Sequence, residues 1–244
     1  MNTKNIQKIT KALLCSLMVV TLTSCLDNDD DNKFAYYRPT ALVTVRPAAD
    51  STFTLQLDDK TTLYPTNLKT SPFGSLEVRA LVNYTEEEGA EKNHVHVNWI
   101  DSIRTKKPVP TLLDKDNEVY GNDPIDIIKD WVTVAEDGYL TLRTRTIWGY
   151  THNKHFIDLV SGVNPENPYE FTLHHNAKGD VNGTMADALI AFDLNELPRE
   201  GKEIKIKLNW HSFAGMKSTE FVLPEKPMAA HFGTADAGMS AHIK

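Results

Sequence analysis

The chain is expected to be all-β, with a small N-terminal barrel followed by an antiparallel β-sandwich. Three observations lead there. Apolar residues recur at every second position in short runs, the pattern of a strand with one buried face. Those runs are separated by clusters of Gly, Pro, Asn and Asp rather than by segments of helical length. Pro108-Val109-Pro110, followed by Asp114-Lys115-Asp116-Asn117, then interrupts the pattern and divides the runs into two groups.

The elements justify this in order. Lys4, Lys8 and Lys11 precede an apolar run from Ala12 to Leu22, the layout of a secretory signal. That run stops about half a bilayer short of a membrane span. Leu22-Thr23-Ser24-Cys25 resembles the lipobox of bacterial lipoproteins, with cleavage expected after Ser24 and lipid on Cys25. Burial is worth about 0.8 kcal/mol per acyl CH₂, so two or three chains would hold a folded domain on a membrane. Residues 1–24 are therefore read as a signal peptide and residues 25–36 as an acidic tether. Asp27, Asp29, Asp30 and Asp31 repel one another and extend that tether. Placed directly after the cysteine, they also resemble the surface-export signal of Bacteroidota lipoproteins. The location implied is the outer membrane, at the cell surface or otherwise on its periplasmic face.

Composition bounds the rest. Of 244 residues, 220 remain after residue 24, enough for one large or two ordinary domains. The remainder carries 23 basic against 33 acidic residues, a net charge of −10. Such a surface repels phosphate, so no nucleic-acid partner is expected. Cys15 falls in the signal and Cys25 carries lipid, which leaves the folded part without a thiol. Disulfides, cysteine nucleophiles and thiolate zinc sites are excluded together.

Residues 37–110 are read as the barrel. Ala41, Val43 and Val45 alternate with Leu42, Thr44 and Arg46; Phe53, Leu55 and Leu57 alternate with Thr52, Thr54 and Gln56. Asp58-Asp59-Lys60 turns the chain into Thr61 to Tyr64. Leu76, Val78, Ala80 and Val82 share a face, and Val95, Val97 and Trp99 point inward opposite His94, His96 and Asn98. A last short strand covers Ile103 to Lys106. The strand count and size match an oligonucleotide-binding (OB)-like barrel, a label for shape and not for ligand.

Residues 111–225 are read as the sandwich. Strand signals recur at Ile125 to Val132, Tyr139 to Trp148, Phe156 to Val160, Tyr169 to His174, Ala188 to Leu194, Ile204 to Trp210 and Glu220 to Leu223. Asp137-Gly138 is a hairpin dipeptide. Residues 226–244 have no period and are read as a flexible tail.

At this point the whole mature chain resembles the NigD-like lipoproteins of Bacteroidota. The resemblance rests on an ordered set of pieces. They begin with the lipobox cysteine, its aspartates and Tyr36-Tyr37, then Ile103-Arg104-Thr105-Lys106, Asp123-Pro124-Ile125 with Trp131, and Gly138-Tyr139-Leu140. His155 with Leu159-Val160, Leu173 through Asp180, and Phe192-Asp193-Leu194 complete it. The resemblance implies an OB-type barrel and a sandwich on a lipid anchor. It also implies an association with bacteriocin production, in an immunity or accessory role. It supplies no catalytic residues.

Candidate sites follow from the strand reading. His94 and His96 share a strand face about 7 Å apart, but no third ligand is identifiable, so no metal is assigned. His174 and His175 point to opposite faces, and Asp180 is read as capping the turn after them. Arg143 and Arg145 point outward with Tyr139 and Thr141, to bind an anion or to pair with the surplus carboxylates. Trp148, Tyr150 and His152 lie between two strands, read as a hairpin tip that contacts a ligand or partner. No catalytic residue and no cofactor is assigned. The expected function is non-enzymatic binding or bacteriocin immunity, with an envelope protein as partner. The alternative is a surface lipoprotein that binds or hydrolyses glycans with two carboxylates.

Overall fold

A computed structural model describes residues 38–151, 153–199 and 201–225. Ser24, Cys25, Asp27, Asp29, Asp30, Asp31, Tyr36-Tyr37, His152 and the tail 226–244 lie outside the described residues.

Period-two alternation closes the first five strands on themselves. β1 (Ala41–Pro47), β2 (Phe53–Gln56), β3 (Thr62–Pro65), β4 (Val78–Glu86) and β5 (His94–Ser102) form a closed barrel in the order β1-β2-β3-β5-β4. Only the β3–β5 pair is parallel within it. Val43, Val45, Leu55, Ala80, Val82, Val95 and Val97 fill its interior. Closure leaves the barrel no free strand edge.

Two sequence expectations shift here for identifiable reasons. Tyr84 pairs with Val97 but Asn83 pairs with Trp99, so Asn98 is an extra residue in β5. A bulge of this kind reverses the inside–outside alternation beyond it. Trp99 therefore turns outward with Asn83, only half-buried, and Ile100 packs on the core in its place. Leu76 precedes β4 and is exposed, so the strand's inward row begins only at Val78.

Residues 104–110, read from sequence as the end of the barrel, join the second domain. β6 (Arg104–Lys106) and β7 (Val109–Pro110) are followed by a 3₁₀ turn and a short helix, α1 (Asp116–Tyr120). Then come β8 (Asp126–Ile128), β9 (Val134–Glu136), β10 (Tyr139–Gly149) and β11 (Phe156–Ser161). β12 (Glu170–Asn176), β13 (Gly183–Asp193), β14 (Ile204–Ser212) and β15 (Gly215–Leu223) complete the chain. One sheet runs β6-β13-β10-β8, with β9 also on β10; the other runs β15-β14-β12-β11-β7. The sandwich is mainly antiparallel, but β6–β13, β7–β11 and β12–β14 are parallel. Asp137-Gly138 makes the expected β9–β10 hairpin, both residues at positive φ.

Leu140, Leu142, Leu159, Phe171, Ile190, Phe192, Ile206 and Leu208 interleave between the sheets. Each such side chain contributes about 1.5–3 kcal/mol on burial.

The barrel and the sandwich belong to one compact unit beginning at Pro39. β1 is buried on both faces because Leu42 and Thr44 turn away from the barrel interior toward the sandwich. Leu42, Ile103 and Ala191 form a joint apolar cluster. Arg79 lies beside it at 0 % exposure. Its Nη2 donates to Glu136 Oε1 at 2.5 Å and its Nη1 to Thr44 Oγ1 at 2.9 Å. Its guanidinium stands 5.8 Å from the ring centre of Tyr139, whose hydroxyl donates to Glu77. Tyr139 and Thr141, expected on the outward face of β10, are buried under the barrel instead. That face opens to solvent only from Arg143 onward.

Surface carboxylates on the sandwich are held ionised. Asn164, Lys207 and Asn209 bring the Glu170 carboxyl down to about 2. Arg145 and Arg143 bring Asp187 down to about 2. Both lie below their unfolded values near 4, so their stabilisation is present above that value and is lost as pH falls toward 2. The urea midpoint should drop steadily from pH 5 to pH 2.5. Glu170→Gln and Asp187→Asn together should flatten that slope; an unaltered slope would remove these pairs as its cause.

Candidate functional site

The segment read as a hairpin tip is a crossing between the two sheets. β10 belongs to one sheet and β11 to the other, so the chain crosses from sheet to sheet between Gly149 and Phe156. Local alternation predicts two strands and an intervening turn, but it carries no information about which sheet each strand joins.

A buried polar chain fixes this crossing. Asp180, in the turn between β12 and β13, accepts from the Gly149 amide and the Thr151 amide, each at 2.9 Å, and from the Thr151 hydroxyl. The His155 ring lies at 1 % side-chain exposure, with Nε2 3.3 Å from Asp180 Oδ2. A carboxylate can only accept here, so this nitrogen carries the hydrogen. His155 Nδ1 is 3.0 Å from His175 Nε2. The Thr151 hydroxyl and the adjoining amides hold the Asp180 carboxyl below its ordinary range. Burial, reinforced by the neighbouring His155 ring, pushes His175 down and keeps it neutral. The Asp180 carboxylate, expected to cap its own turn, instead holds the crossing, while the turn is closed by the Asp180 amide on Ala177 O and by Asn176 Oδ1.

An Asp–His–His row invites comparison with a catalytic relay, but the row ends inside the protein. His175 Nδ1 is buried with no hydrogen-bond partner among the described residues. A relay needs a nucleophile at that end.

The predicted site residues separate accordingly. Trp148 stacks on His155, ring centres 4.3 Å apart, and its Nε1 donates to Ala186 O. It closes the end of the sandwich and remains only partly exposed. Tyr150 is the projecting residue, 78 % exposed. Val181 and Met185, also exposed, flank the Gly149–Gly183 pair beside it. A side chain on Gly183 would lie 1.8 Å from Trp148 O, so only glycine permits this close end of the sheet. Arg143 and Arg145 are both occupied. Arg143 bridges Asp130 and Asp187, and Arg145 pairs with Asp187, the pairing alternative of the two read from sequence.

His94 stacks on Tyr64, and His96 is exposed on the same strand face. Among the described residues no three His, Cys, Asp or Glu side chains form a metal-holding group. A cleft of about 560 Å³ opens between β8 and β15, floored by Ile127, Trp210 and Phe221. Sequence reading missed it because both walls are strand edges far apart in the chain. Among the described residues no helix is long and apolar enough to cross a membrane.

Family models account for the two halves. The NigD-like N-terminal OB domain matches residues 42–103, and the NigD-like C-terminal beta sandwich domain matches residues 107–223. The chain belongs to the NigD-like family. Among solved structures, this NigD-like chain is similar to a candidate toxin-related protein from Parabacteroides distasonis. That likeness is 30% identical with a TM-score of 0.65, over 75% of this chain and 92% of the other. A NigD-like immunity protein from Bacteroides caccae is 21% identical, with a TM-score of 0.55, over 74% of this chain and 90% of that one. A candidate lipoprotein from Bacteroides fragilis is 15% identical, with a TM-score of 0.53, over 77% and 97%. At those last two identities the likeness is one of fold. No curated protein matches the chain.

Proposed function

We propose that this NigD-like protein is an outer-membrane lipoprotein, exposed at the cell surface, that binds an envelope or bacteriocin partner and does no chemistry of its own. The observation that carries the reading is the fate of its buried carboxylates. A hydrolase of the glycan-cleaving kind needs two carboxylates free to face a groove. Here Asp116 accepts from Leu112 N and Thr111, Asp137 pairs with Arg46, and Asp180 holds the crossing. Glu136 is committed to Arg79. The exposed Tyr150, projecting at the end of the sandwich, is an aromatic side chain of the kind that anchors protein contacts.

Membership of a family that includes an immunity protein supports the accessory or immunity role. The lipobox at Cys25 and the acidic run at Asp27, Asp29, Asp30 and Asp31 support the location.

One experiment joins the two halves of the reading. Tagged protein is captured from outer-membrane fractions as wild type, Cys25→Ala and Tyr150→Ala. Cys25→Ala should lose fatty-acid labelling and leave the membrane fraction entirely; persistent labelling ends the lipoprotein reading. Tyr150→Ala should stay in the membrane but lose about tenfold or more of its captured protein, the loss expected when a projecting aromatic anchor is removed. Capture of oligosaccharide in place of protein would move the assignment to the glycan-binding alternative.

A further inference from the structure

A second pair of histidines stands on the outer face of the other sheet, away from the crossing. β12 and β14 run parallel, with Leu173 opposite Trp210. Both of those side chains enter the core. Alternation then sends the next residue of each strand, His174 and His211, outward from neighbouring strands about 4.8 Å apart. The segment after α1 folds back over them and supplies consecutive carbonyls. His174 Nδ1 lies 2.7 Å from Gly121 O, and His211 Nδ1 lies 2.7 Å from Asn122 O.

Those two contacts fix both tautomers. A carbonyl oxygen only accepts, so each Nδ1 carries a hydrogen, and in the neutral ring it is Nε2 that presents the lone pair. Neither Nε2 has a hydrogen-bond partner among the described residues. Both rings line one cavity of about 490 Å³. His174 is only 6 % exposed and belongs to that cavity's wall. Asp114, Asn117 and Asn122 add further acceptors to the wall, and no Lys or Arg lies among the lining residues.

We propose that His174 Nε2 and His211 Nε2 are the two protein ligands of a divalent transition-metal site. An Nδ1–H held by a backbone carbonyl, with Nε2 directed at the ion, is the arrangement that orients ligating histidines and raises their basicity. Imidazole donors select the zinc, copper and nickel class over calcium or magnesium, which take oxygen. Asp116 is not a third ligand, because both its oxygens are held by Leu112 N and Thr111 Oγ1. The remaining coordination positions fall to water or to a group brought by whatever enters the cavity. The site does not depend on Tyr150 or on the crossing, and it stands whether or not the binding role above holds.

The test is titration of the full mature lipoprotein in detergent with Zn²⁺ by calorimetry, and with Cu²⁺ by electron paramagnetic resonance. His174→Asn and His211→Asn are the informative variants. The asparagine amide sits where Nδ1 does and still donates to the same carbonyl, while nothing replaces Nε2. One Zn²⁺ per chain is expected, weakened about tenfold or more in either variant. Splitting from two nitrogens should appear on Cu²⁺ and fall to one in each variant. Metal-free unfolding midpoints should stay close to wild type; if His174→Asn fails to fold, the half-exposed His211→Asn carries the test. His94→Gln with His96→Gln should change nothing. No binding at millimolar Zn²⁺, undiminished binding in His211→Asn, or binding lost with the His94/His96 pair would each overturn the assignment.

Discussion

Arg79→Met should lower the free energy of unfolding by about 3 kcal/mol, the scale on which breaking one side of a buried ion pair acts. The guanidinium is fully enclosed between barrel and sandwich and donates to Glu136 and Thr44. Methionine would fill much of its volume, so the loss is electrostatic before it is steric. Burial already pushes the Glu136 carboxyl up, and Arg79 is the main group pulling it back. Without Arg79, Glu136 is left desolvated and charged at neutral pH. Its folded pKa then rises further above the unfolded value, so the deficit should shrink as pH falls and the carboxyl protonates. Urea denaturation at pH 7 and pH 5 measures both effects. Arg79→Met with Glu136→Leu should recover more than half of the loss, because an apolar pair leaves no orphan charge. A loss below 1 kcal/mol at pH 7 would mean that water reaches this interface.

Gly121→Ala should cost about 3 kcal/mol, from backbone strain and collision together. Gly121 has φ 88° and ψ 169°, a region that only glycine occupies at ease. An added Cβ would stand 2.5 Å from both Asn176 Cβ and His175 O. These are atoms of β12 itself, not the ends of flexible side chains, so the segment after α1 must lift off the sheet. The Asp123 amide would lose its bond to His175 O, and His174 would lose Gly121 O. Calorimetric unfolding should show the drop, and hydrogen exchange should accelerate first at Asp123. Wild-type protection at Asp123 would show that the segment accommodates the methyl.

Strand positions were legible because burial on one face writes itself into the sequence as alternation. Ile204, Ile206, Leu208 and Trp210 show it cleanly, and all four are core. Alternation fails where a second body covers the other face. Leu42 and Thr44 alternate with the barrel-facing row of β1, yet both are buried against the sandwich. It also fails past the extra residue at Asn98, since one inserted position reverses every side chain beyond it. Pairing partners were legible only where a turn dipeptide joins the strands, as at Asp137-Gly138. Nothing local to Trp148 says that the next strand joins the facing sheet, so a bridging segment looked like a hairpin tip. The polar sites were illegible for a related reason. Asp180 meets Gly149, and His211 meets Asn122, only after the sheets assemble, so neither contact leaves a spacing to find.

The junction between barrel and sandwich has a consequence for the order in which a nascent chain becomes structured. Its two short strands are the outermost members of opposite sheets, β6 beside β13 and β7 beside β11. Arg104 must wait for Ile190, and Val109 for Val160. The barrel's five strands are all present once Ser102 has been made, and its pairings are short in sequence. The sandwich has the opposite character, because β10 lacks its longest partner until Asp193 follows. High contact order of this kind slows folding and prolongs the exposure of unpaired edges. A chain halted before Gly183 would therefore carry a finished barrel tethered to adhesive, half-assembled strands. That intermediate is the one a holding chaperone would need to recognise.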